Sequence, residues 1–201
     1  MQVKDKNVFI TGGNRGMGLE FAKEAARKGA FVHLLIRKLE PSLEEELKYL
    51  GAKDVKTWEL DLLFPDQIDR LVTNIKEQNF SFDILINNAG CASMNHFLLT
   101  PYSTAQKVFN TNFFGTFLMC REVAKYMVKN KSGRIVNYST VAVALNLHGE
   151  LVYSASKAAI EQLTRVLADE IGESGVTVNA VGPTPIDTDL IKNVPEDKLN
   201  D

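Results

Sequence analysis

Hydrophobic residues along this chain gather into short continuous runs, separated by longer stretches in which they recur every three or four positions. The runs NVFIT (7–11), FVHLLI (31–36), VKTWEL (55–60), DILIN (83–87), RIVNYS (134–139) and VTVNAV (176–181) are β-branched or aliphatic. Bounded by Gly, Asp or Asn, they predict six strands. The intervening pattern predicts helices: one after the glycines near Gly18, one over 42–50, others starting near Pro65 and Thr104, and a last one beginning beside Tyr153. Strands of nearly continuous hydrophobicity that alternate with helices indicate a parallel sheet covered on both faces. Right-handed crossovers make that sheet doubly wound, an α/β fold in a single domain over 1–201. Ligands of such sheets bind at the carboxyl ends of the strands, so candidate chemistry is sought there.

Composition narrows the function classes. The chain has 201 residues, 45% hydrophobic and 24% charged, enough for one well-filled core. A net charge of −2 gives no electrostatic reason to bind nucleic acid or an acidic membrane. The basic run KNKSGR (129–134) is short and reads as a solvated turn. Cys91 and Cys120 lack CxxC spacing and a histidine cluster, which argues against a disulfide framework or a metal site and fits a reducing, cytoplasmic setting. No apolar run approaches the ~18 residues of a membrane helix, and the polar N-terminus does not read as a signal peptide.

The first strand runs into TGGNRGMG (11–18), a glycine turn opening a helix. Such a turn lets backbone approach a pyrophosphate at a helix N-terminus, although glycine suits any tight turn. Near the other end, YSASK places Tyr153 and Lys157 four residues apart with only small residues between, on one face of a helix. Tyr49 and Lys53 share the spacing but are interrupted by Gly51. The TGxxxGxG spacing, NNAG (87–90), NTNFFG with Asn112, YSASK and VNAVGPTPIDT (178–188) occur in the order and spacing of one family. The chain resembles the short-chain dehydrogenase/reductase family, with a likeness to its 3-oxoacyl-acyl-carrier-protein reductase branch.

The resemblance implies a Rossmann-like fold and hydride transfer between NADP(H) and a carbonyl or secondary alcohol, possibly a 3-oxoacyl thioester. It implies cofactor contacts at Gly12, Asn14, Arg15, Gly16, Met17 and Gly18 of the loop. Asp61 and Leu62 would flank the adenine, Asn88, Ala89 and Gly90 would lie under the adenosine ribose, and Pro183, Ile186 and Thr188 would cradle the carboxamide. Asp61, standing before a helix, also reads as a cap. The second strand ends without an acid and is followed by Arg37; with Arg15 it supplies guanidiniums suited to a 2′-phosphate. NADP(H) is therefore expected over NAD(H), with Glu40 the only nearby acid.

By the same resemblance Tyr153 protonates the carbonyl oxygen and Lys157 also holds the nicotinamide ribose. A lysine cation beside a phenol is expected to lower its pKa from about 10. A hydroxyl thirteen residues before the tyrosine would orient the substrate oxygen; the count reaches Thr140, with Ser139 one position earlier. Asn112 would complete a proton relay. Thr184 replaces the family's usual glycine after Pro183, and His148 is either a pocket residue or a solvated loop residue. Family members run further, adding a seventh strand and a substrate lid, so the chain reads as C-terminally incomplete. The helices from Thr104 and Tyr153 are the family's usual interface, implying a homodimer or homotetramer around a small-molecule site. The rival reading is a catalytically idle NADP-binding sensor or scaffold.

Overall fold

The structure is a computed structural model and describes residues 2–186. Six parallel strands form one sheet in the order β3-β2-β1-β4-β5-β6: β1 (Asn7–Thr11), β2 (Phe31–Ile36), β3 (Asp54–Glu59), β4 (Ile84–Asn87), β5 (Gly133–Tyr138) and β6 (Val176–Val181). The order reverses direction between β1 and β4, which opens a crevice above those two strands. The six strands are the expected ones within a residue at each end, and the expected helices start within about two residues of their predicted positions. A π-helical turn over Asn110–Gly115, a separate helix over Thr116–Lys129 and a short one over Ala142–Leu145 were not expected. No seventh strand stands beyond β6 among the described residues.

Both sheet faces are buried, which is why the strand sequences do not alternate. Val8, Ile10, Val32 and Leu34 point to one face, where they meet Ala22, Ala25 and Ala26 of α1 (Gly16–Arg27) and Leu43 and Leu47 of α2 (Pro41–Tyr49). Phe9, Leu35, Leu85 and Ile135 point to the other. There they meet Ile68, Leu71 and Ile75 of α3 (Pro65–Glu77), then Met119, Val123 and Met127 of α5 (Thr116–Lys129). Leu167 and Ile171 of the 21-residue α7 (Leu151–Ile171) complete that layer. Helix α4 (Tyr102–Phe109) passes into α5 through a π-helical turn over Asn110–Gly115. A four-residue α6 (Ala142–Leu145) follows β5.

Two polar chains cross this apolar core. Across β3, β2 and β1, Trp58 donates to His33 Nδ1 at 3.2 Å, and His33 Nε2 lies 2.9 Å from Asn7 Oδ1. Asn7 donates in turn, through its backbone N–H, to Asp83 at 3.0 Å. Burial holds the His33 imidazole down to about 3, so it is neutral. Nearer the carboxyl ends, Asn87 donates to Asn137 at 2.8 Å and Asn137 to Thr164 at 2.9 Å. That chain fixes β4, β5 and α7 at one mutual height.

Candidate active site

The carboxyl end of β1 is held open by backbone conformations that favour glycine: φ is +66° at Gly12 and +52° at Gly16. Gly18 lies so close to the Gly12 carbonyl that a methyl group would have no room. Arg15, at the N-cap of α1, places no side-chain bond on the helix start, and no acidic residue occupies the first turn. The start of α1 therefore carries no side-chain cap from its N-cap residue and keeps its positive helix-end potential toward the loop. Asn88 braces the loop from β4 by donating to the carbonyls of Thr11 at 3.1 Å and Gly12 at 3.2 Å, and Ala89 N donates to Thr11 Oγ1 at 3.0 Å. A glycine cradle and an uncapped helix start fit a dinucleotide pyrophosphate.

At the far side of this cradle, Asn14 donates to Glu40 Oε1 at 2.7 Å. Glu40, the acid noted near the end of the second strand, thus reaches the loop with its carboxylate. Arg15 and Arg37 are both exposed at the same rim. Asp61 closes the turn before α3 rather than capping the helix, whose N-cap is Phe64: Oδ1 accepts from Leu63 N at 3.0 Å, and its own N–H is taken by Gln67 at 2.8 Å. Leu62 is turned into the core, where Gly115 of the π turn packs on it. Met17 is half-buried.

The second half of the cleft is built by β4, β5 and α7. Tyr153 sits in the first turn of α7, and its phenol is hydrogen-bonded to Thr140, the residue two past the end of β5. Ser139 faces the other way and donates to Glu161 Oε1 at 2.6 Å. Successive residues of an extended segment point to opposite sides, so Thr140 and not Ser139 shares the cleft with Tyr153. Lys157, fully buried one turn along α7, donates to the Tyr138 carbonyl at 2.8 Å, with Nζ 6.0 Å from the Tyr153 ring centroid.

This geometry corrects the expected electrostatics. The Tyr153 phenol is raised above its ordinary value, by burial first, and the Thr140 bond only partly offsets that. Lys157 is itself pushed down to about 8 by burial. Spacing of four residues aligns the two side chains, but the ammonium is committed to a carbonyl rather than to the phenol.

Asn112, in the π turn, is buried and fully used. Its Oδ1 accepts from Cys91 N at 2.9 Å, and Nδ2 donates to Cys91 O at 2.9 Å and Ser156 Oγ at 3.0 Å. It joins the NNAG loop to α7. Gly90 lies against it: a methyl there would stand 3.2 Å from Asn112 Oδ1 and 3.6 Å from Lys157 Nζ. A short π segment at such a position is a common mark of a functional site. Pro183 O accepts from Val141 N at 3.2 Å, Ile186 is exposed, and Thr188 lies outside the described residues. His148 is exposed in the loop before α7.

The protein-family model described as short chain dehydrogenase matches residues 6–199. The chain belongs to the short-chain dehydrogenase family. A 3-oxoacyl-(acyl-carrier-protein) reductase of Buchnera aphidicola is 34% identical over 194 residues, covering 96% of this chain and 79% of that enzyme. An NAD-dependent glycerol dehydrogenase of Listeria innocua is 32% identical over 194 residues, covering 94% and 74%. Among solved structures, a short-chain type dehydrogenase/reductase from Mycobacterium marinum superposes with a TM-score of 0.89 at 27% identity, covering 95% of this chain and 77% of that one. As a family member, this chain is an oxidoreductase that binds a nicotinamide cofactor. The Ser139–Glu161 and Asn14–Glu40 pairs are features its motifs do not announce. Glu161 does stand eight residues after Tyr153, on the same helical face, and that spacing is visible in YSASKAAIE.

Proposed function

We propose that this protein is an NADP(H)-dependent carbonyl reductase acting on a 3-oxoacyl thioester or a close ketone analogue. The observation that carries the reading is the convergence of the Tyr153 phenol, the Thr140 hydroxyl and the buried Lys157 amine at the carboxyl end of β5. Arg15 and Arg37 at the cradle rim support the 2′-phosphate, and the Buchnera relative supports the substrate class.

In the reductive direction the residues divide the work as follows. The raised pKa keeps Tyr153 protonated through neutral pH, so it is a ready proton donor. Thr140 donates a hydrogen bond to the carbonyl oxygen and holds it in reach of the phenol. The bound dinucleotide supplies the hydride. As the oxygen takes the Tyr153 proton, the phenolate left behind is stabilised by the nearby Lys157 ammonium, whose value of about 8 suits it to return a proton near neutrality. Asn112 braces Cys91 against α7 and keeps the cleft wall fixed. Gly12, Asn14, Gly16, Gly18, Asn88, Ala89 and Gly90 are assigned to the dinucleotide.

A single observation favours NAD(H) instead: the Glu40 carboxylate beside Asn14. The Listeria relative is NAD-dependent. Oxidation of NADPH and of NADH with an acetoacetyl thioester, in wild type and Tyr153→Phe, tests the reading. Turnover with NADPH that vanishes in the phenylalanine variant while dinucleotide binding persists is the expected result. Faster turnover with NADH reassigns the cofactor; binding without turnover in wild type favours the sensor. Exposed Phe114 and Phe117 on the π turn and α5, and Val166 on α7, support a homo-oligomer through those helices. Cytoplasmic residence is supported by two free cysteines, and no described helix is long and apolar enough to cross a membrane.

A further inference from the structure

Helix α7 grips the strand end that carries Thr140 at two points. Tyr153, Lys157 and Glu161 follow one another at four-residue steps along one face of the helix. Lys157 Nζ holds the Tyr138 carbonyl at 2.8 Å, and Glu161 Oε1 holds the Ser139 hydroxyl at 2.6 Å. The next residue, Thr140, is bonded to Tyr153. Ser139 is 4% exposed, so its hydroxyl has no solvent partner to fall back on. Its backbone N–H is already taken by Val181 O at 2.8 Å. Glu161 differs: it borders an open groove of about 520 Å³ between α7 and β6, behind the strand end and away from Tyr153. Its second oxygen has the Arg165 guanidinium at 3.8 Å.

From this geometry we infer that Glu161 is a positioning residue: by holding Ser139 it sets the rotation of the 138–140 segment and so the placement of the Thr140 hydroxyl against Tyr153. Lys157 fixes the Tyr138 carbonyl, and Val181 O and Pro183 O hold the Ser139 and Val141 N–H groups, so the freedom that remains is a local rotation at the Ser139–Thr140 step. A second anchor on the adjacent residue, one helical turn away, removes the rotation. A charged acceptor gives the shorter and stronger form of a hydroxyl bond, which suits the task. The inference rests on the assignment of Tyr153 and Thr140 above, but its test does not need the substrate.

The measurement is the Tyr153 ring ¹³Cζ resonance of the full chain, which reports the hydrogen bond to its phenol. Thr140→Val defines the shift produced by losing that bond. Glu161→Ala and Ser139→Ala should move the resonance in the same direction. Their double variant should move it no further than either alone, because one bond is lost in all three. Glu161→Gln, which keeps an acceptor oxygen, should restore the wild-type position. Arg165→Ala, which leaves the Ser139 bond in place, should not move it. With an acetoacetyl thioester, Glu161→Ala should lower kcat about tenfold with the dinucleotide KM within about twofold, the pattern of a lost transition-state contact. A merely structural bond would lower the melting temperature and leave the resonance where it was. An unmoved resonance in both Glu161→Ala and Ser139→Ala overturns the inference. A wild-type protein inactive on the thioester would refute the substrate reading instead, and the resonance would still decide the role of Glu161.

Discussion

Gly18→Ala tests the cofactor cradle at its tightest point. A methyl on residue 18 would stand 2.5 Å from Asn88 Nδ2 and closer still to the Gly12 carbonyl oxygen. The second of these is backbone, already fixed by Gly12 N donating to Leu35 O at 2.8 Å, so the loop and not a side chain must move. Overpacking against an unyielding partner costs about 3 kcal/mol, the upper end of the usual range. Weakening the two Asn88 bonds to Thr11 and Gly12 adds about 1 kcal/mol, while alanine in a helix returns up to about 1 kcal/mol. The net loss is therefore about 3 kcal/mol, or a fall of roughly 6–12 °C in melting temperature for a chain of this size. Dinucleotide affinity should fall at least about tenfold, since the displaced carbonyl belongs to the loop that receives the pyrophosphate. Two further glycines calibrate the argument. At Gly13 the methyl meets Leu34 Cδ2 at 2.7 Å, the end of a side chain that can turn, so Gly13→Ala should cost less than Gly18→Ala. At Gly172 nothing lies within 4 Å and the backbone is helical, so Gly172→Ala should raise the melting temperature by about 1–4 °C. Thermal denaturation with a dinucleotide titration reads all three. If Gly18→Ala melts within about 1 °C of wild type, or melts lower with unchanged affinity, the cradle has been misread.

Acid should weaken the fold through His33. Its value is about 3 in the folded protein and 6.5 in the free residue, so only the unfolded chain takes the proton between them. That stability is complete above pH 6.5 and drains away as the pH falls toward 3, by at most about 5 kcal/mol. The urea midpoint should drop across this window and the drop should flatten in His33→Phe; an equal slope in the variant would exclude the histidine. Asn112→Ala strips partners from the part-buried Cys91 N–H and carbonyl and from buried Ser156, so urea denaturation should register a loss of about 2–4 kcal/mol. A loss below about 0.5 kcal/mol would mean that water replaces the amide freely. Glu40→Gln removes a carboxylate that touches the cradle, and the kcat/KM ratio for NADPH over NADH should rise about fivefold. An unchanged ratio would place the 2′-position elsewhere.

Much of the architecture was legible because its causes are local. A parallel strand buried on both faces must be hydrophobic at nearly every position, and the run Phe31–Ile36 states this without reference to any partner. The Gly12–Gly18 loop was equally plain, since only glycine tolerates those angles and that closeness. What stayed hidden depends on residues far apart in the chain meeting in space. Glu40 reaches Asn14 across 26 positions, and Ser139 meets Glu161 across 22. Neither pairing leaves a periodic trace. The π turn was missed for the opposite reason: inside Asn110–Gly115 the helical period itself slips, so the pattern reads as one helix from near Thr104. The phenol was given the wrong sign because helical spacing fixes which side chains are neighbours but not which acceptor a long amine selects. Lys157 selects the Tyr138 carbonyl.

Burial at that carbonyl pushes the lysine down to about 8 and makes it a proton store with a threshold inside the physiological range. With a value near 8, about nine in ten molecules carry the ammonium at pH 7 and about half at pH 8. An anionic dinucleotide entering the cleft favours the charged form, so loading draws protons from the medium wherever the amine is part-empty. The oxidised nicotinamide carries one more positive charge than the reduced and draws fewer. The bound redox couple therefore exchanges a fractional proton in addition to the one its chemistry requires. Its midpoint potential would then fall with pH more steeply than that of the free couple around pH 8. In this protein alkalinity would be felt first as a change in cofactor exchange and reducing power, before the Tyr153 phenol has lost its proton.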